Sequence, residues 1–223
     1  MPGRFVRKST IEVIEEEFEV KQVSSGLNPS YNIAPGDDIA VIINDGTNRL
    51  IQLSWGLIPS WAKDPSIGNK MINARAETLN EKPSFRTAFK KHRCLIIADG
   101  FYEWRKEGKA KTPVYFHLKS KRPFGLAGLY DIWTSPEGKQ ISTCTIITTG
   151  PNELMKPIHN RMAVIIPKPQ EALWLDPVIQ DERLLLSLLK PYDSHEMDAY
   201  DVSRIVNSPR NNSPECIKPV SVS

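Results

Sequence analysis

Apolar positions along the chain fall mostly into short runs, separated by eighteen prolines and twelve glycines. Ser9-Thr10-Ile11-Glu12 has the form of a capping box, and Ile11, Ile14 and Phe18 recur at helical spacing behind it. Ile39 to Ile43 and Arg49 to Leu53 flank Asn44-Asp45-Gly46, which predicts a hairpin. Pro83 to His92 reads as a short helix, with Phe85 and Phe89 four residues apart. Strand-like runs follow at Cys94–Ala98, Val114–Leu118, Phe124–Leu129, Ile141–Thr148 and Ala163–Ile166, with turns at Glu107-Gly108 and Pro136-Glu137-Gly138. Gln170–Leu175 and Glu182–Leu189 read as helices. Strands come in series rather than alternating with helices, and no repeat or linker divides the chain. The pattern predicts one α+β domain over residues 1–223, built on a mixed or antiparallel sheet, with 207–223 as an irregular C-terminal tail.

Composition adds limits but no function. The formal charge of +3, with 25% charged and 40% hydrophobic residues, is ordinary for a globular chain. No apolar run approaches the ~20 residues that span a bilayer. Five glutamates in the first twenty residues leave no secretory segment. Three widely spaced cysteines without a CxxC predict neither a disulfide framework nor structural zinc, and fit a reduced, cytoplasmic setting. His92, His117, His159 and His195 lack metal-ligand spacing, so no metal is expected. The absence of a Gly-rich phosphate motif argues against a dinucleotide fold or P-loop, and no cofactor is expected.

Four segments resist a purely structural account. They are Met1-Pro2-Gly3-Arg4-Phe5, Asn73-Ala74-Arg75-Ala76-Glu77-Thr78, Asp99-Gly100-Phe101-Tyr102-Glu103-Trp104 and His159-Asn160-Arg161-Met162. Each has a plain alternative: Asp99-Gly100 as a turn, Glu103 as a rim carboxylate, His159 as a structural histidine, Asn-x-Arg as a loop network. Together they put an Asn, a Glu, a His and three Arg beside strand ends or turns, where sites are commonly assembled. Glu and His suit proton transfer near neutral pH, and arginines suit phosphate. Trp55 and Trp61 flank a proline kink; Trp55 fits a core, whereas Trp61 beside Lys63 fits either a base-stacking platform or a loop cover.

In this order the segments resemble the SOS-response-associated peptidase (SRAP) family of abasic-site processing proteins. The resemblance also rests on Tyr31-Asn32-Ile33-Ala34-Pro35, Trp55-Gly56-Leu57-Ile58-Pro59, Ala127-Gly128-Leu129, Thr148-Thr149 and Val202-Ser203. It implies a pseudo-barrel sheet with peripheral helices and a groove for single-stranded DNA carrying an abasic site. It further implies a monomer that acts in the SOS response, in the cytoplasm at nucleoid DNA. In the family, a cysteine after the initiator Met closes a thiazolidine crosslink on the abasic aldehyde. Carried over, Asn73 positions the amine or adduct, Glu103 moves protons in ring opening, and His159 acts as acid/base on the sugar. Arg4, Arg75 and Arg161 hold phosphates, Trp61 stacks on a base, and Thr148 brings a hydroxyl near the pocket.

Position 2, however, is Pro2 rather than cysteine, so thiazolidine closure has no thiol there. With Met1 removed, Pro2 becomes a secondary amine able to form an iminium with the aldehyde, and it takes the catalytic place, with strand-nicking lyase chemistry accessible from it. The alternatives are a family-type peptidase or autoprotease, and a non-catalytic single-stranded-DNA-binding module, whether a diverged relative or an engineered inactive variant. A lesser departure is Ala163, where the pattern has proline.

Overall fold

The computed structural model describes residues 2–24, 27–108 and 110–220, and for Glu107 the backbone alone. Met1, on whose removal the amine chemistry depends, and residues 221–223 of the expected tail lie outside the described residues. The order is β1 (Phe5–Arg7), α1 (Ile11–Phe18), β2 (Gln22–Val23), β3 (Ser30–Ile33), β4 (Asp38–Asn44), β5 (Asn48–Trp55) and β6 (Asn73–Arg75). Next come α2 (Arg86–Lys91), β7 (Arg93–Ala98), β8 (Gly100–Glu107), β9 (Ala110–Leu118), β10 (Phe124–Thr134) and β11 (Gln140–Thr149). The chain finishes with β12 (Met162–Ala163), β13 (Ile165–Ile166), α3 (Glu171–Leu175), α4 (Glu182–Ser187) and β14 (Met197–Asp201).

Strands β5, β4, β7, β10 and β11 pair in sequence, and β11 then pairs with β5 to close a ring. Directions cannot alternate all the way around a ring of five strands, so one contact must be parallel. That contact is β5–β11, with Thr143 opposite Ser54 and Cys144 opposite Trp55. This makes a mixed barrel inside one α+β domain. A second sheet, ordered β14-β9-β8-β1-β3, packs against it. Alternation in the strands sends Val41, Ile96, Leu126 and Ile146 into one core with Phe5, Phe101 and Phe116 of the second sheet. Ile42, Leu95, Ala127 and Ile147 face the other way, under Phe18, Phe89, Trp174 and Leu185 of the helices.

The switch between sheets happens at Asp99. Sequence patterning ends a strand there; the backbone instead bends and continues as β8 in the second sheet. The buried Asp99 carboxylate accepts hydrogen bonds from the Lys8 and Ser9 amides and from the Ser9 hydroxyl. That recruitment corrects the capping-box expectation: the N-cap of α1 is Thr10, without a side-chain cap. Gly100 is required by space, since a Cβ there would lie 2.4 Å from the Tyr115 ring and 2.5 Å from the Phe116 carbonyl. Ala163–Ile166 is likewise two pieces. Thr148 pairs with Ala163 while Leu126 pairs with Ile165, so the chain passes from one barrel strand to the next.

The tail is irregular only in part. Short 3-10 turns form at Arg204–Asn207 and Pro214–Ile217, Cys216 is fully buried, and Val202 bridges to Pro219. The tail thus completes the outer face of the second sheet, against Tyr102 and Tyr115. No helix among the described residues is long and apolar enough to cross a membrane.

Candidate functional site

β1 lies antiparallel to β8, with Phe5 opposite Phe101 and Val6 opposite Gly100, and the Tyr102 amide donates to the Arg4 carbonyl at 3.0 Å. The same register leads the N-terminal residues along β8 toward Glu103. Pro2 is buried, and its carbonyl accepts a hydrogen bond from Asn73 Nδ2 at 3.1 Å. Asn73 reaches it because β6 runs parallel to β11, placing Asn73 opposite Ile146 and Arg75 opposite Thr148. Asn73 Oδ1 is buried and has no hydrogen-bond partner among the described residues. An amide acceptor left in that condition suits an incoming donor.

Glu103, only 5% exposed, and His159 line one cleft of about 420 Å³, together with Trp104, Lys106, Lys111 and Asn207. His159 Nδ1 accepts the Arg161 amide at 3.0 Å. The same Nδ1 lies 3.2 Å from the Arg161 carbonyl, so the backbone of Arg161 holds the ring in place. Two titratable side chains distant in sequence therefore share a wall.

The arginines divide. Arg161 forms a bidentate pair with Glu77, at 2.6 and 2.9 Å, and its Nη2 also donates to the Thr148 carbonyl at 2.6 Å and hydroxyl at 3.2 Å. Hydrogen bonds from Arg161 hold the Glu77 carboxyl below the usual carboxylate value, against some desolvation. Thr148 is fully buried, and its hydroxyl donates to the Ala74 carbonyl at 3.3 Å. Arg4 donates through Nη1 to Asn32 Oδ1 and the Val206 carbonyl, at 2.8 and 2.9 Å, and through Nη2 to the Asn207 carbonyl. Burial lowers the Arg4 pKa, opposed by nearby anionic groups. Arg4 and the buried Asn32 together moor the tail, Asn32 Nδ2 donating to the carbonyls of Val206, Ser208 and Asn211. Trp104 Nε1 then fixes Asn207 at 2.8 Å on the cleft rim. Arg75, by contrast, is exposed.

Trp61 is 58% exposed, whereas Trp55 is buried against Phe5 and donates to the Ile72 carbonyl at 2.8 Å. A family model described as SOS response associated peptidase (SRAP) matches residues 1–209. The chain belongs to this family. It is 54% identical over 222 residues to "Abasic site processing protein YoqW" of Bacillus subtilis (strain 168), covering 98% of this chain and 99% of that protein. It is 34% identical to "Abasic site processing protein HMCES" of Gallus gallus, covering 87% of this chain and 67% of that protein. A crystal structure of a protein from Bacteroides thetaiotaomicron superposes with a TM-score of 0.89 at 30% identity, over 98% of this chain and 99% of that one.

Within this SRAP chain, no cysteine takes the place of the expected N-terminal thiol. Cys94, Cys144 and Cys216 are all buried, and burial pushes the thiols of Cys94 and Cys144 up, away from the reactive thiolate. The residues that sequence reasoning passed over are Glu77 as a clamp on Arg161, Asn32 as the tail's mooring, and Asn207, Lys106 and Lys111 on the cleft. For the two lysines the sequence held only part of the signal. Glu107-Gly108 marks a hairpin, but a two-residue turn there would pair position 106 with 109; only the observed register sets Lys106 opposite Lys111.

Arg75 and Arg4 should behave differently in solution. Arg75→Ala is expected to leave Tm in place and flatten the salt dependence of single-stranded-DNA affinity by about 0.7 in log–log slope, one phosphate contact. Arg4→Ala is expected to lower Tm, because the acceptors of Asn32, Val206 and Asn207 lose a shared donor. Thermal melts beside a salt titration separate the two roles.

Proposed function

We propose that this chain recognises abasic sites in single-stranded DNA and, with Met1 removed, captures the ring-opened aldehyde reversibly through the Pro2 amine. The names of its relatives support the substrate, and two pairs carry the chemistry: Asn73 hydrogen-bonded to the Pro2 carbonyl, and Glu103 beside His159 on one cleft, with the β1–β8 register leading the N-terminal residues toward Glu103. The Pro2 nitrogen adds to the aldehyde carbon and loses its proton, giving a carbinolamine. Glu103 or His159 then protonates the hydroxyl, which leaves as water as the C=N⁺ bond forms. The iminium acidifies the adjacent carbon; removal of that proton expels the 3′ phosphate and nicks the strand. Only neutral amine reacts, so adduct formation rises with pH toward an α-amino pKa of ~8.

Arg75 and Trp61 are the open positions for backbone and base, and Arg161 and Thr148 act as the frame that sets His159. The family description's peptidase activity finds less support: the cysteines here are buried. A purely DNA-binding role is favoured by the same absence of a thiol if Met1 stays in place, because the proline nitrogen is then an amide.

Borohydride added to Met-processed protein and abasic single-stranded DNA should trap a covalent adduct, with intact mass confirming the processing. Glu103→Gln should slow trapping by about 10²–10⁴-fold, the usual contribution of a positioned acid/base. The same variant should bind intact single strands normally. Absence of a trapped adduct with processed protein sinks the covalent reading and leaves DNA binding alone.

A further inference from the structure

Of the three arginines expected to hold phosphates, two have their Nη donors engaged inside the protein. The cations that open onto the Glu103–His159 cleft are instead Lys106 and Lys111. They are directly opposite each other across the β8–β9 hairpin, where Arg105 faces Thr112 and Lys106 faces Lys111. Both are exposed. Like charges in opposed positions destabilise a strand pair, so folding gains nothing from this arrangement. Neighbouring Arg105 is neutralised by a bidentate pair with Asp201, at 2.9 and 2.7 Å. Lys106 and Lys111 have no such carboxylate among the described residues.

From this opposed pair at the cleft mouth, we infer that Lys106 and Lys111 form a phosphate clamp whose ligand is a phosphate group of the DNA strand. The inference rests on the reading that the cleft receives single-stranded DNA. Two ammonium groups on one face, beside Trp104 and Asn207, accept an anion between them, and its charge removes the repulsion that the free hairpin carries. The phosphate is either an internal diester flanking the lesion or the monoester of a strand end.

The test uses intact single-stranded DNA without an abasic site and without borohydride, so a failure of the covalent chemistry does not touch it. Two lost contacts should flatten the salt slope of a Lys106→Ala/Lys111→Ala double variant by about 1.4, or about 25-fold in affinity near 0.1 M salt. Its Tm should hold or rise, since a like-charge pair is gone. Each single variant should flatten the slope by about 0.7. Lys21→Ala/Lys139→Ala, an equal charge loss at two other exposed positions, should not change the slope by more than a few tenths. Comparing strands with and without a 5′ phosphate distinguishes an end monoester from an internal diester. An unchanged slope in the double variant, or an equal loss in the control pair, overturns the clamp.

Discussion

Pro2→Cys is expected to turn an adduct that withstands denaturation only after borohydride reduction into one that survives heat and detergent without reductant. With Met1 removed, cysteine at position 2 offers both an amine and a thiol to the abasic aldehyde. The amine condenses with loss of water, and the thiol then adds its S and H across the C=N bond, closing a five-membered ring. Proline can carry out only the first half, so its adduct hydrolyses back. Holding both nucleophiles on one residue makes the second step intramolecular, the situation in which effective concentrations are highest. The terminus is placed for this by the β1–β8 register and by the Asn73 hydrogen bond to the Pro2 carbonyl, which a cysteine carbonyl can accept equally. A gel of denatured samples should go from no shifted band to a near-complete one. No stable band from processed Pro2→Cys protein would mean that position 2 does not meet the aldehyde, and would remove the proposed chemistry.

The largest stability loss is expected at Arg93, well away from the chemistry. Arg93 is 3% exposed and gives its donors to the carbonyls of Trp174, Phe89, Lys90, Asp176 and Ile179, while its guanidinium sits 5.7 Å from the centre of the Trp174 ring. These acceptors are the C-terminal carbonyls of α2 and the end of α3 with the turn beyond it, groups that helices cannot satisfy internally. One side chain therefore fastens two helices to the start of β7. Burial lowers its pKa, with Asp176 opposing, yet arginine stays charged at any working pH. Arg93→Met keeps the length and loses every donor. Buried carbonyls left without partners cost about 1–3 kcal/mol each before relaxation, and water will reach some of them, so a net loss of about 3–5 kcal/mol is expected. For a chain of this size that is a Tm fall of about 10 °C or more. A change under about 2 °C in a thermal melt would show that the carbonyls find other partners. Below the new Tm, binding of single-stranded DNA should be kept, since none of these groups borders the cleft.

Arg93 also shows where reading the chain by pattern stops. In sequence it ends the basic run Lys90-Lys91-His92-Arg93, as an ordinary surface charge would, and only the packing of α3 turns it into a buried hub. Arg4 and Arg161 behave the same way. Their side chains suit phosphate, but Arg4 finds a carbonyl 202 residues away and Arg161 a carboxylate 84 residues away. Such partners have no local trace, because a side chain's hydrogen bonds are chosen by what tertiary folding brings near it.

Much was nevertheless fixed by local order. Alternating apolar residues set the barrel strands, since one or both faces of each had to be buried, and Asn44-Asp45-Gly46 and Glu107-Gly108 set two hairpins by their turn chemistry. The short polar motifs around Asn73, Glu103 and His159 named the family and picked out two residues, Glu103 and His159, that share a cleft. Proline at position 2 decided by itself that no thiol stands there. The tertiary structure decided the rest: that five strands close through one parallel contact, that Asp99 carries the chain from the barrel into a second sheet, and that two lysines meet at the cleft mouth. Those outcomes depend on pairings between distant segments, whose energy comes from shared burial and register rather than from the preferences of any one stretch of chain.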